Sequence, residues 1–146
     1  TGHLVLASLH TRSAADTVNR IIDVFPKEQQ HQIRTMISNS LEAVVCQQLV
    51  PRRGRGRVCA TEVLVVNFAV RNLVREGKVF QIPSLMQTQT TSGMVTMEQS
   101  LLHLFRSGVI TRDTLLERSY DPSVLEKMED VSSTSPSRSS RGRSRG

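Results

Sequence analysis

The residues near the start of the chain that could do chemistry are two histidines, His3 and His10, and the threonine that follows the second, Thr11. The stretch between them, residues 4–9, is almost entirely apolar, as in a parallel strand covered on both faces. In α/β sheets, ligands bind beyond the carboxyl ends of the strands. An imidazole at that place can donate a hydrogen bond to a phosphate oxygen or to an attacking water, and Thr11 could assist it. Without other context, a histidine at a strand end is more commonly structural.

His3 cannot act together with His10 if the strand is continuous. The spacing along an extended chain separates the two by roughly 23 Å and directs them to opposite faces. They therefore cannot share one ligand or metal, and His3 is interpreted as a subunit-interface or structural residue, with a catalytic role as the alternative. His31 and His103 lie in helical patterns without partners in sequence and are interpreted as surface histidines.

A helix must follow the strand to hold these residues in place. Ser13 is a good N-cap, and Asp16 stands three residues on as a variant of the capping box. Pro26 ends this helix and is expected to open the next one at its first position. The apolar side of the first helix is formed by Val18, Ile21, Ile22 and Phe25.

The second helix has the clearest periodicity in the chain, and a β-hairpin is predicted after it. Its apolar residues recur at helical spacing: Ile33, Met36, Ile37, Leu41, Val44, Val45 and Leu49. The last turn of this pattern also fits a strand. Residues 58–66 are rich in β-branched side chains, so a hairpin over about residues 49–66 is predicted, closed by a turn at Gly54 and Gly56.

The chain is predicted to be helical after the hairpin. A short helix over residues 69–76 ends at Gly77. Residues 82–92 are polar and are assigned no element. Further helices begin at capping residues, the last of them running to about residue 128: Thr96 with Gln99, Thr111, and Asp121 with Pro122.

The net charge of +6 is concentrated in two places. Four arginines lie in the turn at residues 52–57, and four more lie in the Ser/Arg-rich tail at 131–146, which is predicted to be disordered. Basic patches can bind nucleic acid or anionic membranes. Sequence-specific binding of single-stranded nucleic acid requires aromatic side chains that stack on the bases. The chain has four Phe, one Tyr and no Trp, so no nucleic-acid partner is expected.

The two cysteines, Cys46 and Cys59, lie among apolar residues and are interpreted as reduced core thiols. Because the sequence contains no CxxC pair and no Cys/His quartet, a zinc site is not predicted. No apolar run approaches the roughly 18 residues that a membrane-spanning helix needs.

Several segments, taken in order, resemble the hexameric secretion-type ATPases and, within them, the type IV pilus retraction ATPases. Residues 1–11, TGHLVLASLHT, are similar to the histidine box of that superfamily. Residues 69–78, AVRNLVREGK, resemble the signature helix of the retraction branch, in which valines replace the usual isoleucines. Residues 20–26, 47–52 and 96–101 continue the resemblance, which covers about residues 1–128.

The resemblance implies an α/β fold: the C-terminal part of a RecA-like P-loop ATPase domain over residues 1–78, then a helical subdomain over 79–130 and the tail over 131–146. A single strand cannot make a sheet, so the remaining strands are expected upstream of Thr1. The sequence contains no G-x-x-x-x-G-K-[ST] motif, so the phosphate-binding loop and the acidic Mg²⁺-binding residues are expected upstream as well.

The resemblance also implies a function, namely ATP hydrolysis with Mg²⁺ in a homo-hexamer that powers pilus retraction. His10, Thr11 and His3 are then the candidate catalytic residues, with His10 as a sensor of the γ-phosphate. Arg71 and Asn72 are the candidates for coupling ATP turnover to retraction, against the alternative of a solvated helix face. The expected partner is the inner-membrane pilus platform protein, at the cytoplasmic face of that membrane.

Two other functions remain open from the sequence. The first is a pilus-extension or type II secretion ATPase of the same superfamily, which shares the histidine box. These relatives often carry a four-cysteine zinc module that is missing from this sequence, which favours retraction. The second is a small binding module without catalytic activity, whose basic tail contacts nucleic acid or anionic lipid.

Overall fold

The computed structural model describes residues 2–89 and 93–123. Over these residues the chain forms helices around one antiparallel β-hairpin. The elements are α1 (Ala14–Asp23), α2 (Lys27–Ser40), β1 (Ala43–Pro51), β2 (Arg57–Val65), α3 (Phe68–Arg75), a 3₁₀ turn (Val79–Gln81), α4 (Ile82–Thr88), α5 (Met97–Arg106) and α6 (Arg112–Arg118).

The first helix begins where its cap predicts. The hydroxyl of Ser13 accepts the backbone N–H of Asp16 at 3.1 Å, which satisfies one of the amides that lack an intrahelical acceptor. Pro26 does not open α2 at its first helical position but serves as its N-cap, with extended backbone. Of the predicted apolar side of α1, Val18 and Ile22 are fully buried.

The hairpin begins six residues earlier than predicted. Helix α2 ends at Ser40, so Val44, Val45 and Leu49 lie on β1 and not on a helix. The spacing of these residues fits the period of a helix and also that of a strand. Pairing with β2 selects the strand, because it provides hydrogen-bond partners for the backbone groups of every second residue in the segment. In the observed register Val44 lies opposite Leu64, and both are buried.

The hairpin turn accounts for its two glycines, and the alternation of the strands accounts for the two cysteines. Gly54 and Gly56 adopt φ values of +89° and +87°, a region that side chains disfavour, and so close the turn as predicted. Cys46 lies on the buried face of β1, as predicted. The prediction that Cys59 is a core thiol is wrong, because strand alternation directs it to the exposed outer face opposite Leu49.

The strand predicted over residues 4–9 is not formed. Residues 2–10 have no regular structure and are exposed, with Leu4, Val5 and Leu6 between 79% and 89% accessible. A strand requires a neighbour for its backbone hydrogen bonds, and no described residue pairs with this segment. Its apolar character on both faces is typical of a central strand, and the elements that would cover it are not among the described residues.

The helices after the hairpin follow their predicted caps. Thr96 and Gln99 form a complete capping box, Thr111 caps α6, and Gly77 follows α3 with φ of +72°. Helix α4 was not predicted, because its polar residues carry no helical period. Asp121 accepts the N–H of Ser123 at 3.0 Å, as its predicted N-cap role requires. The rest of that helix and the tail lie outside the described residues.

Two apolar clusters meet on the inner face of the hairpin. One end of the hairpin packs with α1, α3 and α4, and contributes Val44 and Leu64. The other end packs with α5 and α6, and contributes Val50 and Ala60. The hairpin thus connects the segment that carries His10 to the C-terminal helices. The predicted boundary between an ATPase domain and a helical subdomain, between residues 78 and 79, stays a prediction.

Candidate functional site

The His10 segment borders a shallow groove along the exposed side of α1. The groove has a volume of about 530 Å³ and is lined by His10, Thr11, Arg12, Asp16, Asn19, Arg20 and Asp23. His10 itself is exposed. An imidazole and two guanidinium groups on one groove can donate hydrogen bonds to an anion, and the two carboxylates limit where that anion can lie.

Thr11 is held against α1 by a short chain of hydrogen bonds. Its hydroxyl lies 2.7 Å from the hydroxyl of Thr17, which itself donates to the carbonyl of Ser13 at 2.9 Å. Because the proton of Thr17 is used in that bond, Thr11 is the donor to Thr17. Thr11 therefore positions the segment next to His10, and its oxygen retains acceptor capacity.

The other predicted site residues lie elsewhere. His3 is exposed and does not line the groove that His10 borders. Arg71 and Asn72 lie half-buried on α3, a helix that packs against α2. The structure therefore brings His10 and Thr11 together and keeps His3, Arg71 and Asn72 apart from them.

Arg71 joins α3 to the end of α2. Its guanidinium donates to the carbonyl of Ser38 at 2.7 Å and forms an ion pair with Glu42 at 3.3 Å. Ser38 lies in the last turn of α2, where backbone carbonyls lack intrahelical donors, so a cation stabilises that end of the helix. Arg71 therefore has a defined structural contact in addition to any role in coupling.

We expect Arg71→Ala to lower the free energy of unfolding by about 1–2 kcal/mol, because it removes a charge-assisted hydrogen bond from a partly buried carbonyl. Urea denaturation followed by circular dichroism measures the change. Arg75→Ala, on the exposed end of the same helix, is the matched control and should cost less than about 0.5 kcal/mol. Equal losses in the two variants would contradict a specific contribution from the Ser38 contact.

Sequence reasoning missed a buried carboxylate at the centre of the fold. Glu62 on β2 is only 6% exposed, and its two oxygens accept the backbone N–H of Ala14 at 2.7 Å and of Met97 at 3.2 Å. Burial raises the pKa of Glu62, since it penalises the charged form more than the two N–H groups favour it. The signal was present, because strand alternation puts Glu62 on the inner face between Ala60 and Leu64.

A second buried carboxylate, Glu98, holds the segment after α6. Its Oε1 accepts the backbone N–H groups of Tyr120 at 3.0 Å and of Asp121 at 3.3 Å, and the hydroxyl of Ser119 at 3.4 Å.

The hydroxyl of Tyr120 donates to the backbone carbonyl of Arg12. Partial burial raises the pKa of Tyr120, and the nearby Glu62 carboxylate adds to the shift, so the phenol keeps its proton and remains a donor.

The basic turn of the hairpin is exposed. Its four arginines are Arg52, Arg53, Arg55 and Arg57. The backbone N–H of Arg53 donates to the carbonyl of Val109 at 2.8 Å, which fixes the turn to the loop between α5 and α6. The turn that carries these guanidinium groups is therefore attached to the C-terminal helices.

Residues 2–89 and 93–123 contain neither a cluster of metal-ligating side chains nor a membrane-spanning helix. No three His, Cys, Asp or Glu side chains come together there as a metal site would require. Within the same residues, no helix has the length and apolar character needed to cross a bilayer.

Comparison with known proteins identifies the relatives of this chain. The family described as "Type II/IV secretion system protein" matches residues 1–54. A twitching motility protein of Neisseria gonorrhoeae is 50% identical over 119 residues, which are 81% of this chain and 32% of that protein. The type IV pilus retraction ATPase PilT of Pseudomonas aeruginosa is 44% identical over 122 residues, which are 84% of this chain and 36% of that protein.

The fold agrees with these relatives. A crystal structure of the pilus retraction motor PilT with bound ADP matches 88% of this chain and 36% of its own, with a TM-score of 0.77 and 48% identity. This likeness confirms the predicted fold class, the C-terminal part of an ATPase domain followed by helices. The chain spans about a third of the length of the curated relatives it matches.

Proposed function

We propose that this chain is a homologue of the type IV pilus retraction ATPases and corresponds to their C-terminal part. On that premise, it belongs to a hexameric motor that retracts pili by ATP hydrolysis. The observation that carries the proposal is the agreement of sequence and fold with one solved retraction motor over 88% of the chain. That motor was solved with bound ADP, which supports nucleotide binding by the intact motor of this chain as well.

We assign the chemistry within this chain to His10. In the assembled motor its imidazole donates a hydrogen bond to a γ-phosphate oxygen of ATP or to the attacking water, and so stabilises charge that develops as the phosphoryl group is transferred. Arg12 and Arg20 on the same groove support an anion there. Thr11 positions the segment, and His3 is a subunit-interface or structural residue, with a catalytic role as the alternative.

The remaining roles follow from the same proposal. Arg71 and Asn72 couple ATP turnover to pilus retraction through the junction of α2 and α3. The partners are five further copies of the motor subunit and the pilus platform protein, at the cytoplasmic face of the inner membrane. Mg²⁺ is held by acidic residues of the intact motor, as the family resemblance implies.

A chimera tests the proposal. It joins the part of the Pseudomonas aeruginosa relative that precedes the matched region to this chain. The chimera should form hexamers, hydrolyse ATP and restore twitching to a strain that makes pili but cannot retract them. Rescue of pilus extension, or of protein secretion, in place of retraction would assign the chain to another motor of the superfamily. An inactive chimera that still forms hexamers would contradict the proposed activity.

We expect the chain by itself to bind a non-hydrolysable ATP analogue with a dissociation constant weaker than about 100 µM, which corresponds to less than about 5.5 kcal/mol of binding energy. The physical reason is that its sequence offers no Gly-rich loop of backbone N–H groups to hold the phosphates. Isothermal titration calorimetry measures the affinity, with the chimera as the positive control. Saturable binding in the low micromolar range would show that the chain has its own phosphate site.

A further inference from the structure

The buried carboxylate of Glu62 joins the first amides of two helices. Ala14 is the first residue of α1 and Met97 is the first residue of α5. These amides have no acceptor within their own helices, and a negative charge at a helix N-terminus is favourable. Glu62 thus fixes the start of α1, four residues after His10, relative to the start of α5.

The neighbouring residue of α5 continues the connection. Glu98 follows Met97 and collects three donors from the segment Ser119, Tyr120 and Asp121, at distances between 3.0 and 3.4 Å. Two of these donors are backbone amides, so the position of the main chain after α6 is set by this single carboxylate oxygen. Glu98 is 6% exposed, so water does not compete freely for these bonds.

Tyr120 closes the connection into a ring. Its hydroxyl donates to the carbonyl of Arg12, which lies between His10 and Ala14. The ring therefore runs from Glu62 through α5 and Glu98 to Tyr120, and back through Arg12 to Ala14. An open groove of about 720 Å³ lies along it, lined among others by Arg12, Glu62, Glu98 and Tyr120. Along this groove the hydrogen bonds add to the apolar packing of α1 and α5 on the hairpin.

We propose that Glu62, Glu98 and Tyr120 are positioning residues for His10, through which the C-terminal helices set the place of the imidazole; the functional consequence rests on the role of His10 proposed above. A displacement of the segment after α6 is transmitted to Arg12 by one hydrogen bond, and to Ala14 through Glu98, α5 and Glu62. The C-terminal helices thereby control whether the imidazole reaches the phosphate.

The first test is hydrogen exchange on the 146-residue chain, followed by NMR. Tyr120→Phe keeps the aromatic side chain and removes only the hydroxyl that donates to the carbonyl of Arg12. The exchange rate of the Ala14 amide should rise two- to tenfold, as expected for loss of one hydrogen bond, while the amides of α3 keep their rates. Glu98→Gln is a second variant and should have the same effect, and Glu117→Gln, exposed on α6, is the control. An unchanged Ala14 rate, or an equal rise throughout the chain, would overturn the proposal.

The second test is a double-mutant cycle in the chimera. If Tyr120 acts through His10, Tyr120→Phe should lower kcat three- to tenfold with KM unchanged, and should have no further effect when His10 is already alanine. An equal loss in both backgrounds would mean that Tyr120 is merely structural and would overturn the proposal. If His10→Ala itself leaves kcat unchanged, the proposed role of His10 fails, while the exchange experiment still decides whether the ring holds the segment.

Discussion

Replacing His10 by alanine in the chimera should lower kcat for ATP hydrolysis about 100- to 1000-fold and leave KM for ATP within about threefold of the original value. Loss of one preorganised donor to a developing charge has an effect of this size because water in the site does not reproduce its geometry. The KM should hold because the phosphate-binding loop, which dominates ground-state binding, is untouched. Steady-state kinetics over a range of ATP concentrations measure both constants.

Two controls separate this effect from a general loss of structure. His103→Ala, at an exposed position of α5, should leave kcat unchanged. His10→Gln retains an N–H donor of similar reach and should recover part of the lost rate. If His10→Ala raises KM at constant kcat, the residue contributes to ground-state binding, and its assignment as a γ-phosphate sensor is wrong.

Replacing Leu64 by alanine should lower the free energy of unfolding of the chain by about 2–5 kcal/mol. Leu64 is fully buried on the inner face of β2, where it packs in the cluster formed with α1, α3 and α4. The substitution removes apolar contacts and leaves a cavity that the surrounding helices fill only in part. Urea denaturation followed by circular dichroism measures the loss.

The matched control for Leu64 lies on the opposite face of the same hairpin. Leu49 is 58% exposed, so Leu49→Ala should change the free energy of unfolding by less than about 0.5 kcal/mol. The pair therefore tests the register as well as the core. Because Leu49 and Leu64 lie on different strands, a shift of one strand by one residue would turn only one of them to the other face and make the two effects similar.

The packing of the hairpin also connects the C-terminal helices to the segment that carries His10. The hairpin contributes to both apolar clusters, so α1 and α5 are held on one rigid element. Glu62, in the middle of β2, then binds the first amides of both helices. Through this arrangement the His10 segment and the segment after α6 form one unit, although more than a hundred residues separate them in sequence.

The sequence by itself determined the features that depend on local chemistry. Ser13, Thr96 and Thr111 cap their helices as predicted, because an N-cap needs only a side-chain oxygen within reach of amides two or three residues on. The turn at Gly54 and Gly56 is equally local. The ordered motifs also predicted the proteins that this chain resembles in sequence and fold, since motifs are recognised without knowledge of the fold.

Only the tertiary structure decided the features that depend on distant partners. The boundary between α2 and β1 was set by pairing with β2, because Val44 and Val45 fit either period until an opposite strand is present. Residues 4–9 stay exposed because an apolar strand gains nothing without neighbours. The connection of Glu62 and Glu98 to the segment that carries His10 runs through backbone amides and a backbone carbonyl, which carry no signal in the sequence, so only the folded chain brings these groups together.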